Sequence, residues 1–135
     1  MSTITISTAP AEEAATVRAL LRANLLSVFN ERDDSARVAA VSDIYAEDVV
    51  WYEPGDVVRG HEALNKRAGA LLADSPAFVF KPDGAEIVTQ NLGTLSWVFG
   101  PPGQPDLVKG TDFILVEGGK VKALWTALTK VPGSE

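Results

Sequence analysis

Cysteine is missing from this chain altogether, and histidine occurs once, as His61. Without thiols there are no disulfides, no thiolate metal sites and no cysteine nucleophile. One imidazole is too few for a histidine metal cluster, and a Ser-His triad would have to be built on His61. Basic residues are also in short supply: 12 Lys and Arg stand against 18 Asp and Glu, for a formal charge of −6. A chain of that sign has no basic face for neutralising phosphates or docking on an anionic membrane. Neither partner is expected. No apolar run approaches the roughly 20 residues that span a bilayer. The opening "MSTITISTAP" has neither the basic nor the apolar region of a signal peptide. These absences lead to the expectation of a soluble, cytoplasmic protein.

What is present is enough for one well-filled core, since 135 residues with 46% apolar content make a single globular domain. Residues 1–9 read as a flexible Ser/Thr-rich arm, and residues 10–132 as the domain. "STAPAEE" is a helix start, with hydroxyls, a proline near the first turn and two acids at the positive end of the dipole. Val17, Leu21, Leu25 and Val28, widened by Leu20 and Phe29, form an apolar stripe at helical spacing. A first helix over about residues 10–31 follows. "ERDDS" breaks it, and Asp34 or Ser35 caps a short second helix bearing Val38, Val41, Ile44 and Tyr45. "VVWYEP" is β-branched and aromatic, hence a strand that stops at Pro54. A turn, a short strand and a third helix with Leu64, Ala68, Leu71 and Leu72 inward come next.

From Phe78 onward the texture is that of strands and turns, ending in the hairpin signal "VEGGKV". Helices first and an antiparallel meander after them is an α+β layout, not βαβ. In "LSWVF" and "DFILV" both strand parities are apolar, whereas a sheet with one wet face alternates polar and apolar. Three helices cover one face. The expected cover for the other is a second copy, giving a homodimer through the sheet.

The order of elements, with "IYAEDVVWYEPG", "VVRGHEAL" and "KGTDFILVEGGKVKAL" at the corresponding places, resembles the nuclear transport factor 2-like superfamily. The likeness is closest to its SnoaL-like and ketosteroid isomerase-like members and spans nearly the whole chain. It implies a curved antiparallel sheet forming a cone around the long first helix, a cystatin-like α+β barrel, with an apolar pocket open at one end. In the isomerases the carboxylate base precedes a proline in the first strand, which is Glu53 here. A second carboxyl in a late strand matches Asp112, and in the SnoaL-like cyclases an aspartate of that strand is the acid/base residue. Two carboxyls facing one pocket would push their pKa values apart.

The chain also departs from its relatives. No tyrosine stands at residues 27–29, where the isomerases carry their helix oxyanion donor, leaving Tyr45 or Tyr52 to supply a hydroxyl from elsewhere. Position 110 is glycine, so the arginine of the epoxide hydrolases is absent, and scytalone dehydratase's histidine pair has no counterpart.

Each candidate also has a bland reading. Glu53 is equally a strand-end carboxylate bonded to the Gly55-Asp56 turn. Asp112, between apolar residues of a central strand, needs a partner, which a helix-end amide can supply. His61 reads as a helix-start residue or as a donor at the pocket mouth. Arg59 suits a surface ion pair. Trp51, Trp97 and Trp125 suit a core or a dimer surface. Trp51 shares the parity of Glu53, whereas bulges decide the facing of the other two. The catalytic candidates are thus Asp112 and Glu53, and the substrate-binding candidates Trp51, Tyr52, His61, Trp97 and Trp125. The expected activity is cofactor-free and metal-free acid/base chemistry, of isomerase, cyclase or dehydratase type, on a small hydrophobic carbonyl compound. The alternatives are a non-catalytic ligand- or partner-binding module of the same fold and a purely structural dimerisation domain.

Overall fold

The computed structural model describes residues 11–133; the arm expected over residues 1–9 lies outside them. Helix α1 (Ala11–Ala23) runs straight into a π-helical segment, Asn24–Phe29, closed by the Asn30 N–H donating to the Leu25 carbonyl. The wider turn adds a residue per coil and brings Asn24, Leu25, Val28 and Phe29 all inward. Helix α2 (Asp34–Ile44) is capped by Asp33, one residue earlier than expected, whose carboxylate accepts from the Ala36 N–H. That bond is the main reason its pKa lies below the usual value. The helix ends at Ile44, and Tyr45 is already the first residue of β1 (Tyr45–Glu53), not the last of the helix. β2 (Asp56–Arg59) returns antiparallel to it, and α3 (His61–Asp74) buries Leu64, Ala68 and Leu72.

The meander follows as β3 (Val79–Pro82), β4 (Ile87–Thr89), β5 (Leu92–Gly100), β6 (Val108–Glu117) and β7 (Lys120–Lys130). The β6–β7 turn is the expected hairpin, with Gly118 and Gly119 at φ 59° and 76°, values that only glycine adopts freely. The seven strands form one curved, unclosed sheet in the order β2-β1-β7-β6-β5-β3, with β4 also on β5. The architecture is α+β, as the sequence pattern requires. One pairing departs from the antiparallel expectation: β1 and β7 run parallel, with Trp51 beside Leu124. The final strand enters the sheet on the free side of the β1–β2 hairpin, and that side offers a parallel ladder.

The sheet wraps α1 and the π-helical segment on its concave face. Val49, Trp51, Leu95, Trp97, Phe99, Ile114 and Leu124 point inward to a single buried cluster with Val17, Leu21, Leu25 and Val28. Burying a side chain of this kind is worth about 1.5–3 kcal/mol, so this face carries the stability of the domain. Two side chains lock the helix side in place. Asn30 both donates to the Phe80 carbonyl (2.8 Å) and accepts from the Phe80 N–H (2.7 Å), which ties the short edge strand β3 to the π-helical end. Arg32 donates to the carbonyls of Leu72, Ser75 and Phe78, covering the open end of α3.

The convex face carries the opposite parity. Leu92, Phe113 and Trp125 are exposed there, and Tyr52 stacks on Trp125 with ring centroids 5.3 Å apart and planes 12° from parallel. No helix among the described residues is long and apolar enough to cross a membrane.

Candidate active site

Asp112 sits in the middle of β6 on the concave face, 4% exposed. An apolar strand flanks it, so its charge is held by neighbours on two other elements. Asn24, from the π-helical segment, donates its Nδ2–H to Oδ2 at 3.0 Å. Thr126, directly opposite on β7, donates its hydroxyl to Oδ1 at 3.0 Å. The network extends outward on both sides. Tyr45 donates its hydroxyl to Asn24 Oδ1, and the Trp51 indole N–H donates to Thr126 Oγ1 at 3.1 Å. The Tyr45 hydroxyl thus reaches the carboxyl through an amide rather than touching it.

The electrostatics follow from burial. Removing the Asp112 carboxylate from water raises its pKa from 3.8 to about 6, against the opposing pull of Trp97, Thr126 and Asn24. Tyr45 is pushed well above the usual phenol value, first by burial and then by the nearby Asp112 charge. The Trp97 indole N–H is buried on the same wall. It lies near enough to lower the Asp112 pKa, yet outside the geometry of a hydrogen bond, and no other acceptor among the described residues takes it.

A hollow of about 20 Å³ opens beside Asp112, lined also by Leu25, Phe29, Phe80, Trp97 and Thr126. Phe80 fills much of the cone, packing edge-on to Phe29 and Trp97 and stacking on Phe99. Gly110 explains itself here. A Cβ at that position would lie 2.4 Å from the Trp97 ring and 2.9 Å from the Ala127 carbonyl. The place an epoxide hydrolase gives to arginine is taken by an indole.

Glu53 does not share this hollow. Its carboxylate accepts from Arg67 Nε at 3.0 Å, across from α3, and lines a different concavity. The expected meeting of two carboxyls across one apolar space is therefore absent, because β1 ends beside α3 and a guanidinium is within reach. The partner is Arg67, neither the Gly55-Asp56 turn nor Arg59.

The tryptophans divide. Trp51 and Trp97 face inward with Asp112. Trp125 and Tyr52 face outward instead and line, with Glu53, Leu92 and Phe113, an open concavity of about 550 Å³ on the convex side. The cause is a bulge in the β6–β7 pairing between Leu115 and Val116, which sets Trp125 opposite Phe113 and Thr126 opposite Asp112. His61 begins α3 as expected, but its Nε2–H donates to the Tyr45 carbonyl at 2.8 Å. It lines a surface cleft with Val38, Val41 and Asn65, away from the hollow. Asn24 and Thr126 were not among the expected site residues. For Asn24 the signal was available: an amide three residues after Leu21 falls inside the apolar stripe.

Comparison with known proteins agrees with this architecture. No functionally curated protein matches the chain. A candidate isomerase of the SnoaL-like family from Agrobacterium tumefaciens superposes with a TM-score of 0.78 at 21% identity, covering 84% of this chain and 97% of its own. A candidate ketosteroid isomerase from Kribbella flavida gives 0.67 at 17%, covering 90% and 83%. A candidate SnoaL-like polyketide cyclase from Jannaschia gives 0.69 at 12%, covering 94% and 92%. At such identities the likeness is one of fold. The sequence itself goes further, because residues 13–124, from the first turns of α1 into β7, match the SnoaL-like domain. With the helix-filled curved sheet in place over the same span, the chain belongs to the SnoaL-like family.

Proposed function

We propose that this SnoaL-like protein is a cytoplasmic, cofactor-independent acid/base enzyme of isomerase, cyclase or dehydratase type. Asp112 is its proton-transferring group and a small apolar carbonyl compound its substrate. The observation that carries the reading is the Asp112 network. Stability alone favours an apolar side chain at such a place, yet the chain spends Asn24, Thr126, Tyr45 and Trp51 on holding a carboxyl there. A carboxyl that titrates at about 6 is poised to take and return a proton near neutral pH. Glu53, paired with Arg67, shapes the rim in this reading and leaves the chemistry to Asp112.

The substrate class has a structural condition attached. A space of about 20 Å³ holds one water, so Phe29 or Phe80 must turn aside to admit a ring. The same number favours the second reading, a non-catalytic ligand- or partner-binding module. Exchange with solvent separates the two. In D2O, small cyclic ketones and enones are expected to lose α-protons faster with the protein than without it. Asp112→Asn is expected to remove about 100-fold of that rate or more, with the circular dichroism spectrum unchanged. Binding of the ketones with no acceleration of exchange leaves the second reading in possession.

The assembly proposed is a homodimer through the convex face, where Tyr52, Leu92, Phe113 and Trp125 line one largely apolar concavity. Light scattering should return twice the chain mass of 14.3 kDa for the parent. Trp125→Glu, which sets a charge in the middle of that surface, should return the single mass. A parent that scatters as one chain refutes the dimer.

A further inference from the structure

Trp97 is the group that the reaction scheme above leaves unused. It is 5% exposed, its indole N–H has no acceptor among the described residues, and it lines the same hollow as the Asp112 carboxyl. A buried donor left unsatisfied carries an uncompensated desolvation cost, so its retention calls for a reason. The ring is held in place by Gly110, whose missing Cβ makes room for its benzo edge, and by Phe80 standing edge-on to it. The N–H is fixed in direction by packing.

The hollow is also the right size for one answer. About 20 Å³ exceeds the minimum for a single water, which needs two to four polar partners. Three are at hand. The Trp97 N–H donates, an Asp112 oxygen accepts, and Thr126 Oγ1, having given its own proton to Asp112, keeps a lone pair after accepting from Trp51. The other walls, Leu25, Phe29 and Phe80, are apolar.

We propose that the Trp97 N–H and the Asp112 carboxyl hold one water between them in the free protein. The same N–H then binds the oxygen of a carbonyl ligand that takes the water's place. The second half rests on the carbonyl reading of the site and deepens it: Trp97 supplies the oxygen-binding donor for which no helix tyrosine is present. In an enolisation, the α C–H bond breaks and its proton passes to Asp112. The electron pair moves into the C–C bond and onto the oxygen held by Trp97, and the proton returns at carbon.

The titratable groups around Asp112 are few. Tyr45 on β1 reaches it through Asn24, and its burial keeps it a phenol. Glu53 at the end of β1 is bound to Arg67 of α3, and His61 of α3 donates to the Tyr45 carbonyl. The π-helical segment, β5 and β7 present Asn24, Trp97 and Thr126, none of which titrates.

The test uses the full-length, 15N-labelled protein, in which the indole signal missing from Trp97→Phe identifies residue 97. In the parent, that indole proton is expected to show a cross-relaxation peak to a long-lived water. It should also shift with pH at the midpoint of Asp112, a shift lost in Asp112→Asn and kept in His61→Asn. Cyclohexanone should displace the water and keep the indole proton hydrogen-bonded, whereas methylenecyclohexane, the same shape without an acceptor, should leave the indole proton unbonded and shift it upfield. Trp97→Phe should weaken cyclohexanone about 5- to 10-fold and leave the hydrocarbon unchanged. A dry indole in the parent overturns the water site, even if Trp97→Phe fails to fold. Equal weakening of both probes, or binding of neither, overturns the ligand role. Because binding is read without turnover, a protein that discriminates the probes but exchanges no protons loses only the catalytic reading.

Discussion

Asp112→Asn is expected to make the protein more stable than its parent at neutral pH, by up to about 3 kcal/mol, and to leave it nearly unchanged in acid. The carboxyl titrates at about 6 in the fold against 3.8 when unfolded, and each unit is worth about 1.4 kcal/mol. Between those values the folded chain binds more protons than the unfolded one, so stability falls as pH rises. The contribution is complete below 3.8 and gone above about 6. Asp33, Asp48 and Glu86 pull the other way, but their pKa values are lowered, so their gains come at lower pH and are common to both proteins. Urea unfolding of the pair at pH 3.5 and pH 8 isolates the Asp112 share. A difference that stays constant with pH would mean that the carboxyl is not held in a dry site. The expected gain also bears on function, since a residue kept at a stability cost is one that selection retains for another reason.

Asn24→Leu should have the opposite sign and a comparable size, a loss of about 3–5 kcal/mol. The substitution keeps the number of side-chain heavy atoms, with somewhat more bulk, and removes both ends of a bridge. Asp112 Oδ2 loses its donor and the Tyr45 hydroxyl loses its acceptor, both in a buried setting. The Asp112 titration should move further up, because one of the bonds that holds it down is gone. Tyr45→Phe in the same background should recover part of the loss, as the stranded hydroxyl is then removed. The cycle of the two variants is therefore non-additive by about 1–2 kcal/mol, read from urea midpoints at fixed pH. Additive losses would show that Tyr45 and Asn24 act separately and that the relay to Asp112 does not exist.

The pattern of apolar residues was sufficient for the architecture. Helical spacing from Val17 to Val28, the β-branched run at Val49 and the paired glycines at 118 and 119 each specify a local shape with little competition. Their order points to an α+β layout rather than βαβ, while the parallel pairing of β1 with β7 emerged only in the assembled sheet. Strand parity placed Asp112 on one face with Gly110 and Ile114. Because Phe113 and Leu115 make the other face apolar too, only the packed sheet decided which of the two lies inside.

What parity does not reach are the places where the count slips by one. The hairpin turn fixes the β6–β7 register only as far as Val116, where an extra residue in β7 reverses every later side chain. Trp125, which an unbroken ladder would set opposite Asp112, goes outside and Thr126 comes in. The π-helical turn shifts the count for α1 as well, burying Leu25 and Phe29 alongside Asn24 and Val28 in a wider stripe. Glu53 illustrates a third kind of gap. Its partner Arg67 is 14 residues away on another element, and the ion pair exists because α3 packs beside the end of β1. Local sequence sets the shape of each element and the side it turns to the core. Bulges, helix defects and the contacts between distant elements arise from packing the whole chain at once, and in this protein they choose which side chains surround the buried Asp112 carboxylate.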